Sequence, residues 1–288
     1  MKRPTVPNTV PPQPELPPLR EVIARYGLSA KHSLGQHYLL DMNLTDRMVR
    51  TAGDLSATTV VEIGPGPGGL TRSLLRGGAA RVVAVERDRR CIPALEALRG
   101  AYPDRLTIIE GDALALDLAD LAPSPRRIIA NLPYNISTPL MIGWLKQIDA
   151  WLGLTVMLQK EVADRLAGKT GQKTYGRLSV MAQWLCTVRH EFNVNKQAFV
   201  PPPKVTSSVV TLTPHPRLPK RPSWPALEKV TQTAFGQRRK MVRTSLKPLG
   251  LDLEALGIDP TVRAEDIDVA AYCRLAQAYE HALTEKDL

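Results

Sequence analysis

Five short apolar runs recur along the chain, at residues 59–63, 81–85, 106–109, 127–130 and 154–158, and all but the last two are followed closely by helical spacing or glycines. Each run is rich in Val, Ile or Leu and shows no polar alternation, which reads as a strand buried on both faces. Helical spacing follows over 70–75 and around 93–98. Strands that alternate with helices predict a parallel sheet covered on both sides, a Rossmann-like α/β fold. Ahead of the sheet, 19–26 and 43–52 have helical spacing, the latter through Leu44, Met48 and Val49, while 29–41 is irregular and polar. A β pair near 189–192 and 207–213 is expected to close the sheet. No internal repeat is visible.

Prolines at 214, 216, 219, 222 and 225 mark a boundary, and 226–288 reads as helices. The first 18 residues carry seven prolines and no apolar core of a secretory signal, and the prolines also oppose the amphipathic helix of a transit peptide. The expected organisation is a disordered Pro-rich tail over 1–18, an α/β domain over 19–214 and a small all-helical domain over 215–288.

Composition adds a partner class. The 288 residues suffice for two cores, and 43% hydrophobic with 23% charged residues is ordinary for a globular protein. The net charge of +10 is not ordinary and points to a polyanion, most simply nucleic acid. The charge is also unevenly spread. Residues 217–247 hold nine Lys/Arg and one Glu, whereas 252–288 hold nine Asp/Glu and three Lys/Arg. The basic stretch is a candidate phosphate-contacting face. Three scattered cysteines make neither a metal set nor a disulfide framework, which fits the cytoplasm. No apolar run is long enough to span a membrane.

Candidate chemistry begins with Gly64-Pro65-Gly66-Pro67-Gly68-Gly69, directly after a strand and before a helix. Gly64, Gly66 and Gly69 satisfy G-x-G-x-x-G, and Glu86 ends the next strand 22 positions after Gly64. A carboxylate there can accept both ribose hydroxyls of an adenosine-containing cofactor, whether NAD or S-adenosylmethionine. Two later features separate these. Asp112, after the third strand, can accept from an adenine amine. Asn131-Leu132-Pro133-Tyr134 ends the fourth strand at the carboxyl edge of the sheet. An aromatic amine is a weak nucleophile because its lone pair is delocalised. The Asn131 side-chain carbonyl and the Leu132 backbone carbonyl can accept its two N–H bonds and favour a pyramidal nitrogen. Pro133 stiffens the backbone and keeps Leu132 extended, and Tyr134 can stack on a flipped base. No metal or covalent nucleophile is required, and the cofactor this favours is S-adenosylmethionine.

With these motifs in order, the chain resembles the ribosomal RNA small-subunit adenine dimethyltransferase family. The resemblance covers roughly 19–288. It rests on Ser33-Leu34-Gly35-Gln36-His37-Tyr38-Leu39-Leu40-Asp41, the Gly64 and Asn131 motifs, Gln159-Lys160-Glu161-Val162-Ala163, and Phe199-Val200-Pro201-Pro202-Pro203-Lys204-Val205-Thr206-Ser207. It implies a Rossmann-like methyltransferase sheet with helices on both faces, and dimethylation of two adjacent adenines near the 3′ end of small-subunit rRNA in an assembling 30S subunit. It implies that the Gln36 segment closes over the methionine end of the cofactor. Residues at Gln36, His37, Leu39, Gly64, Gly66, Glu86, Asp112, Ala113 and Asn131 line the cofactor site. Phe199 stacks on the target adenine opposite Tyr134, and Lys204 can meet a phosphate. Residues 234–243 resemble the family's RNA-contacting helical part, which makes Arg238, Arg239, Lys240 and Arg243 candidate RNA contacts. A monomer without membrane attachment is expected.

One departure stands out. The family usually has Gly-Gln-Asn-Phe-Leu where this chain has Gly35-Gln36-His37-Tyr38-Leu39. If the family residue binds through its backbone, His37 is harmless; if through its side chain, cofactor affinity changes. His37 has no partners with which to hold a metal. Three other readings stay open on the sequence. One is a large-subunit adenine methyltransferase of the macrolide-resistance type, which the proline-rich boundary and the Phe199 segment fit less well. Another is a NAD-dependent oxidoreductase, which lacks an evident hydride-site pairing and leaves Asn131 to Tyr134 unexplained. The last is a non-catalytic RNA-binding factor, against which stand the retained Asn131, Glu86 and Asp112.

Overall fold

The computed structural model describes residues 14–30, 35–216 and 221–284. In chain order the elements are α1 (Leu19–Arg25), β1 (Tyr38–Leu39), α2 (Met42–Thr51), β2 (Thr59–Ile63), α3 (Gly69–Arg76), β3 (Arg81–Glu86), α4 (Ile92–Ala101), β4 (Leu106–Glu110), β5 (Arg126–Asn131), α5 (Tyr134–Lys146), β6 (Leu154–Gln159), α6 (Lys160–Leu166), α7 (Arg177–Leu185), β7 (Cys186–Val194), β8 (Phe199–Val200), β9 (Ser207–Pro214), α8 (Trp224–Gly236), α9 (Val242–Ser245) and α10 (Val269–Thr284).

Seven strands form one sheet in the order β4-β3-β2-β5-β6-β9-β7. The first five are parallel, and β9 and β7 add antiparallel at one edge. The expected closing pair is therefore present, with β7 longer at both ends than its apolar pattern and β9 longer by one residue at its C-terminal end. The apolar runs arise because both faces are covered. In β2 all five residues are buried. Val61 and Ile63 point to the side packed by α5 and α7. Val60 points to the side packed by α2 and α3. Leu74 and Leu75 of α3 are completely inaccessible, so truncating either to Ala costs about 2–5 kcal/mol.

Beyond Ser223, whose side chain accepts from the Ala226 N–H at the start of α8, the chain is less helical than its sequence suggests. Among the described residues there, only α8, α9 and α10 are α-helices. Between the last two lie short 3-10 turns at Lys247–Leu249 and Ala264–Asp266, where Pro248, Gly250 and Pro260 interrupt longer helices. Their core is not separate from the sheet domain, because Tyr175, Val180 and Met181 pack into it with Leu227, Val230 and Leu275. Phe235 and Tyr272 stack within it at 5.6 Å.

Two expectations need correction. The stretch 29–41 is not wholly irregular: Tyr38–Leu39 is strand β1 and pairs antiparallel with β8, Tyr38 opposite Val200 and Leu39 opposite Phe199. Residues 31–34 lie outside the described part. Residues 1–13 of the Pro-rich stretch lie outside the described part, and its last residues, expected to be disordered, are packed. Leu16 packs on the sheet core, and the Pro17 carbonyl accepts from Arg72 Nη1 at 2.6 Å. Among the described residues no helix is long and apolar enough to cross a membrane.

Candidate active site

Strand order reverses beside β2, between β3 on one side and β5 on the other, and ligands of doubly wound sheets bind at the carboxyl ends of such strands. A cleft opens there. Twelve of the residues expected to bind cofactor or base line it: Gln36, His37, Gly64, Gly66, Glu86, Asp112, Ala113, Asn131, Leu132, Pro133, Tyr134 and Phe199. Leu39 sits behind, in a smaller adjoining cavity with Glu62 and Met157.

β2 runs directly into the glycine loop. Gly64 and Gly66 have left-handed backbone, at φ 66° and 55°. A Cβ on Gly66 would lie 3.1 Å from the Tyr38 ring, so only glycine lets the loop close against that ring. The Gly66 N–H donates to Glu86 Oε2 at 2.9 Å, and the Asp88 N–H donates to Glu86 Oε1 at 2.7 Å. Glu86 is buried. Burial pushes its carboxyl pKa up, while these backbone donors pull it back. Each oxygen keeps a second lone pair, which suits a carboxylate that accepts from ribose hydroxyls. Gln36 Nε2 donates to Asp88 Oδ2 at 2.9 Å, which ties the 35–41 segment to the end of β3. The Arg90 guanidinium and Gln36 hold the Asp88 carboxyl down at about 2, against the effect of its burial.

Asp112 is both a turn residue and a cleft residue. Its Oδ1 accepts from the Leu114 N–H at 3.0 Å, and its Oδ2 meets Arg87 Nη1 at 3.1 Å. Arg87 also lines the cleft, and sequence reasoning missed it, although its place beside Glu86 was a usable signal. Glu62 was missed too. It interrupts the apolar run of β2, is 1% exposed, and one of its oxygens has no hydrogen-bond partner. Burial pushes its carboxyl up to about 8, with Glu86 adding to the effect and Thr71 opposing it. An ionisable residue placed inside a buried strand beside a ligand loop is a signal of a site. The glycine cradle and the orphaned buried oxygen fit a ligand that brings hydroxyls and a cationic group to this end of the sheet.

Asn131 closes β5, in register with Met157 of β6. The Leu132 N–H donates to the Met157 carbonyl at 2.9 Å, which fixes the peptide that presents the Leu132 carbonyl. Pro133 packs on the glycine loop, 3.6 Å from where a Gly64 Cβ would stand. Tyr134 opens α5. Its hydroxyl lies 2.6 Å from Ser207 Oγ, and its ring centroid is 5.7 Å from that of His37 at a 32° tilt. Burial raises the Tyr134 pKa, so the phenol is neutral. The two aromatics expected to stack on a base are not equivalent. Phe199 contributes to the cleft wall, yet it is 1% exposed and packs with Leu39, Met157 and Val209 in the sheet core.

The basic residues divide. Lys204, Arg239, Lys240 and Arg243 are exposed. Arg238 is not available in the same way. Its guanidinium donates to the Lys173 and Tyr175 carbonyls at 2.7 and 3.0 Å and pairs with Glu265 at 3.4 Å. It is a structural tie between α8 and two loops, made by partners far away in sequence.

The model of the family described as ribosomal RNA adenine dimethylase matches residues 27–281. A ribosomal RNA small subunit methyltransferase A of Rhodospirillum rubrum is 56% identical over 271 residues, 93% of this chain and 94% of its own length. A protein of that name from Paramagnetospirillum magneticum is 57% identical over 92% of this chain and 96% of its own. The crystal structure of a dimethyladenosine transferase from Plasmodium falciparum matches with a TM-score of 0.75 at 25% identity, covering 85% of this chain and 98% of that one. A 23S rRNA methyltransferase matches with a TM-score of 0.66 at 23% identity, over 84% of this chain and 99% of that one, and it shares the fold. The chain belongs to the ribosomal RNA adenine dimethylase family.

Proposed function

We propose that the chain dimethylates N6 of two adjacent adenines near the 3′ end of small-subunit rRNA, using S-adenosylmethionine, during assembly of the 30S subunit. The observation that carries the reading is the place of Asn131 and Leu132. Asn131 ends β5 and Leu132 follows it, in one cleft with the buried carboxylate of Glu86 and the glycine loop. When bound, S-adenosylmethionine supplies an electrophilic methyl group on a sulfonium sulfur. Glu86 would hold its ribose and Asp112 its adenine amine, with Gly64, Gly66 and Ala113 close to its backbone-facing side. Gln36, His37 and Leu39 would cover the methionine end.

On the substrate side, the Asn131 side-chain carbonyl and the Leu132 carbonyl accept the two N–H groups of the target amine. Pairing both protons to fixed acceptors frees the nitrogen lone pair from the ring, and the second transfer needs the same orientation with one acceptor fewer. Tyr134 supports one face of the flipped base and Phe199 bounds the other, so catalysis rests on position and electrostatics. Lys204, Arg239, Lys240 and Arg243, all exposed, would meet phosphates of a folded RNA, and 215–288 would act as the rRNA-binding part of a monomer. The cytoplasm is the compartment that this substrate requires.

Mass spectrometry of rRNA from cells lacking the protein tests the reading. Dimethyladenosine is expected to vanish from small-subunit rRNA and return with the intact gene. Its persistence, or its loss from large-subunit rRNA instead, would overturn the assignment.

A further inference from the structure

The segment expected to cover the cofactor and the loop expected to wall the base are one structure. Leu39 stands opposite Phe199 and Tyr38 opposite Val200 in the β1–β8 pair. His37 extends this contact by one residue on each side. Its Nδ1 lies 2.8 Å from the Pro201 carbonyl, which can only accept, so that nitrogen carries the proton. The ring centroid lies 5.7 Å from that of Tyr134, at a 32° tilt. At the far end of the segment, Gln36 is bonded to Asp88, next to Glu86. Gly35 approaches Asn135 so closely that a Cβ would stand 3.0 Å from its Oδ1. The segment thus touches the ribose carboxylate's neighbour, the amine-orienting turn and the Pro-rich loop at once.

We infer that His37 is a positioning residue that couples the two ligands: the hydrogen bond to Pro201 makes ordering of the cofactor-covering segment and assembly of the base pocket a single event. This rests on the functional reading above. A segment fixed by cofactor holds Pro201, and with it the loop that leaves the buried Phe199, against the base site. Conversely, a base seated against Phe199 and Tyr134 holds His37, and so closes the segment over the cofactor. Two ligands that share one ordering step bind with positive coupling, and the coupling is reciprocal. The asparagine usual in the family can keep a donor to Pro201 but has no ring for Tyr134, whereas phenylalanine keeps a ring without the donor.

The test is an initial-velocity matrix on the full-length protein, varying S-adenosylmethionine against purified small ribosomal subunits that lack the dimethyladenosines. The ratio of the S-adenosylmethionine dissociation constant of the free enzyme, checked by calorimetry, to its KM at saturating subunits reads the coupling. The wild-type ratio is expected to be about fivefold or more. His37→Phe is expected to bring it near 1, while His37→Asn keeps most of it. Melting temperatures of all three verify folding. A wild-type ratio near 1, or a His37→Phe ratio equal to the wild type's, overturns the coupling alone. Wild-type protein that binds no S-adenosylmethionine, or methylates none of these subunits, overturns the functional reading and the coupling with it.

Discussion

The Tyr134 phenol and the Ser207 hydroxyl meet at 2.6 Å, across the gap between the start of α5 and the start of β9. Ser207 is fully buried, so the pair anchors the tip of a ring whose face belongs to the cleft. Tyr134→Phe keeps the ring and removes the anchor. A lost hydrogen bond of this kind is worth about 0.5–1.5 kcal/mol, so methyl transfer is expected to fall roughly 2- to 10-fold. Ser207→Ala should do the same through the other partner, and the double variant should cost little more than either. Tyr134→Ala, which removes the ring, should cost far more in turnover. Single-turnover rates for the wild type and the four variants check this; a double variant whose losses simply multiply would show that the two hydroxyls act separately.

Asn131→Ala separates base orientation from cofactor binding. The residue ends β5 facing the cleft, while Glu86 and the glycine loop stand apart from it on β3 and after β2. Loss of a fixed polar group that acts on the reacting centre typically lowers turnover about 10²- to 10³-fold. S-adenosylmethionine affinity, read by calorimetry, is expected to change much less. Equal losses in rate and affinity would assign Asn131 to the cofactor instead.

The sheet was legible because its middle strands are buried on both faces, which leaves apolar runs such as Val60-Val61 and Ile128-Ile129. The carboxyl-end residues were legible for the same reason, since the end of each run marks where a site can be. What escaped depends on contacts between distant segments. The β1–β8 pair has two residues in each strand, too few for a period. The use of Arg238 is decided by carbonyls of residues 173 and 175 and by Glu265, none of which is near it in sequence. Phe199 reads equally as a stacking ring or a core plug, and its burial makes it a core residue whose edge is all that bounds the cleft.

That division among the basic residues is measurable. Arg239→Ala and Arg243→Ala are each expected to lower the slope of log affinity against log salt by roughly 1 when binding to small subunits is measured, with melting temperature unchanged. Arg238→Ala leaves the Lys173 and Tyr175 carbonyls without their donor, and is expected to lower stability by about 1–3 kcal/mol. Its effect on RNA binding should follow that instability. A reduced salt slope for Arg238→Ala at full stability would place it with the phosphate contacts.

Glu62 gives the protein a distinct pH signature. Burial holds its folded-state pKa up at about 8, against an ordinary value of 4.5. Between these values the folded protein keeps a proton that the unfolded chain has released. Its contribution to stability is therefore full below pH 4.5 and is lost as pH rises towards 8. The slope in that window is about 1.4 kcal/mol per pH unit. Glu62→Gln keeps the shape and cannot ionise, so its contribution is the same at every pH. Denaturant unfolding at pH 5.5, 6.5 and 7.5 should then show a smaller fall in stability for the variant than for the wild type, with the variant gaining relative to it at the highest pH. Parallel profiles for the two proteins would mean that Glu62 ionises in the folded state as easily as in the unfolded chain. Added S-adenosylmethionine sharpens the test. If its cationic end lies near Glu62, as the orphaned oxygen suits, binding favours the ionised carboxylate, and the wild type should take up less of the proton at pH 6.5 to 7.5 when saturated. Proton release on binding, read by calorimetry in buffers of different ionisation enthalpy, is expected for the wild type and reduced in Glu62→Gln.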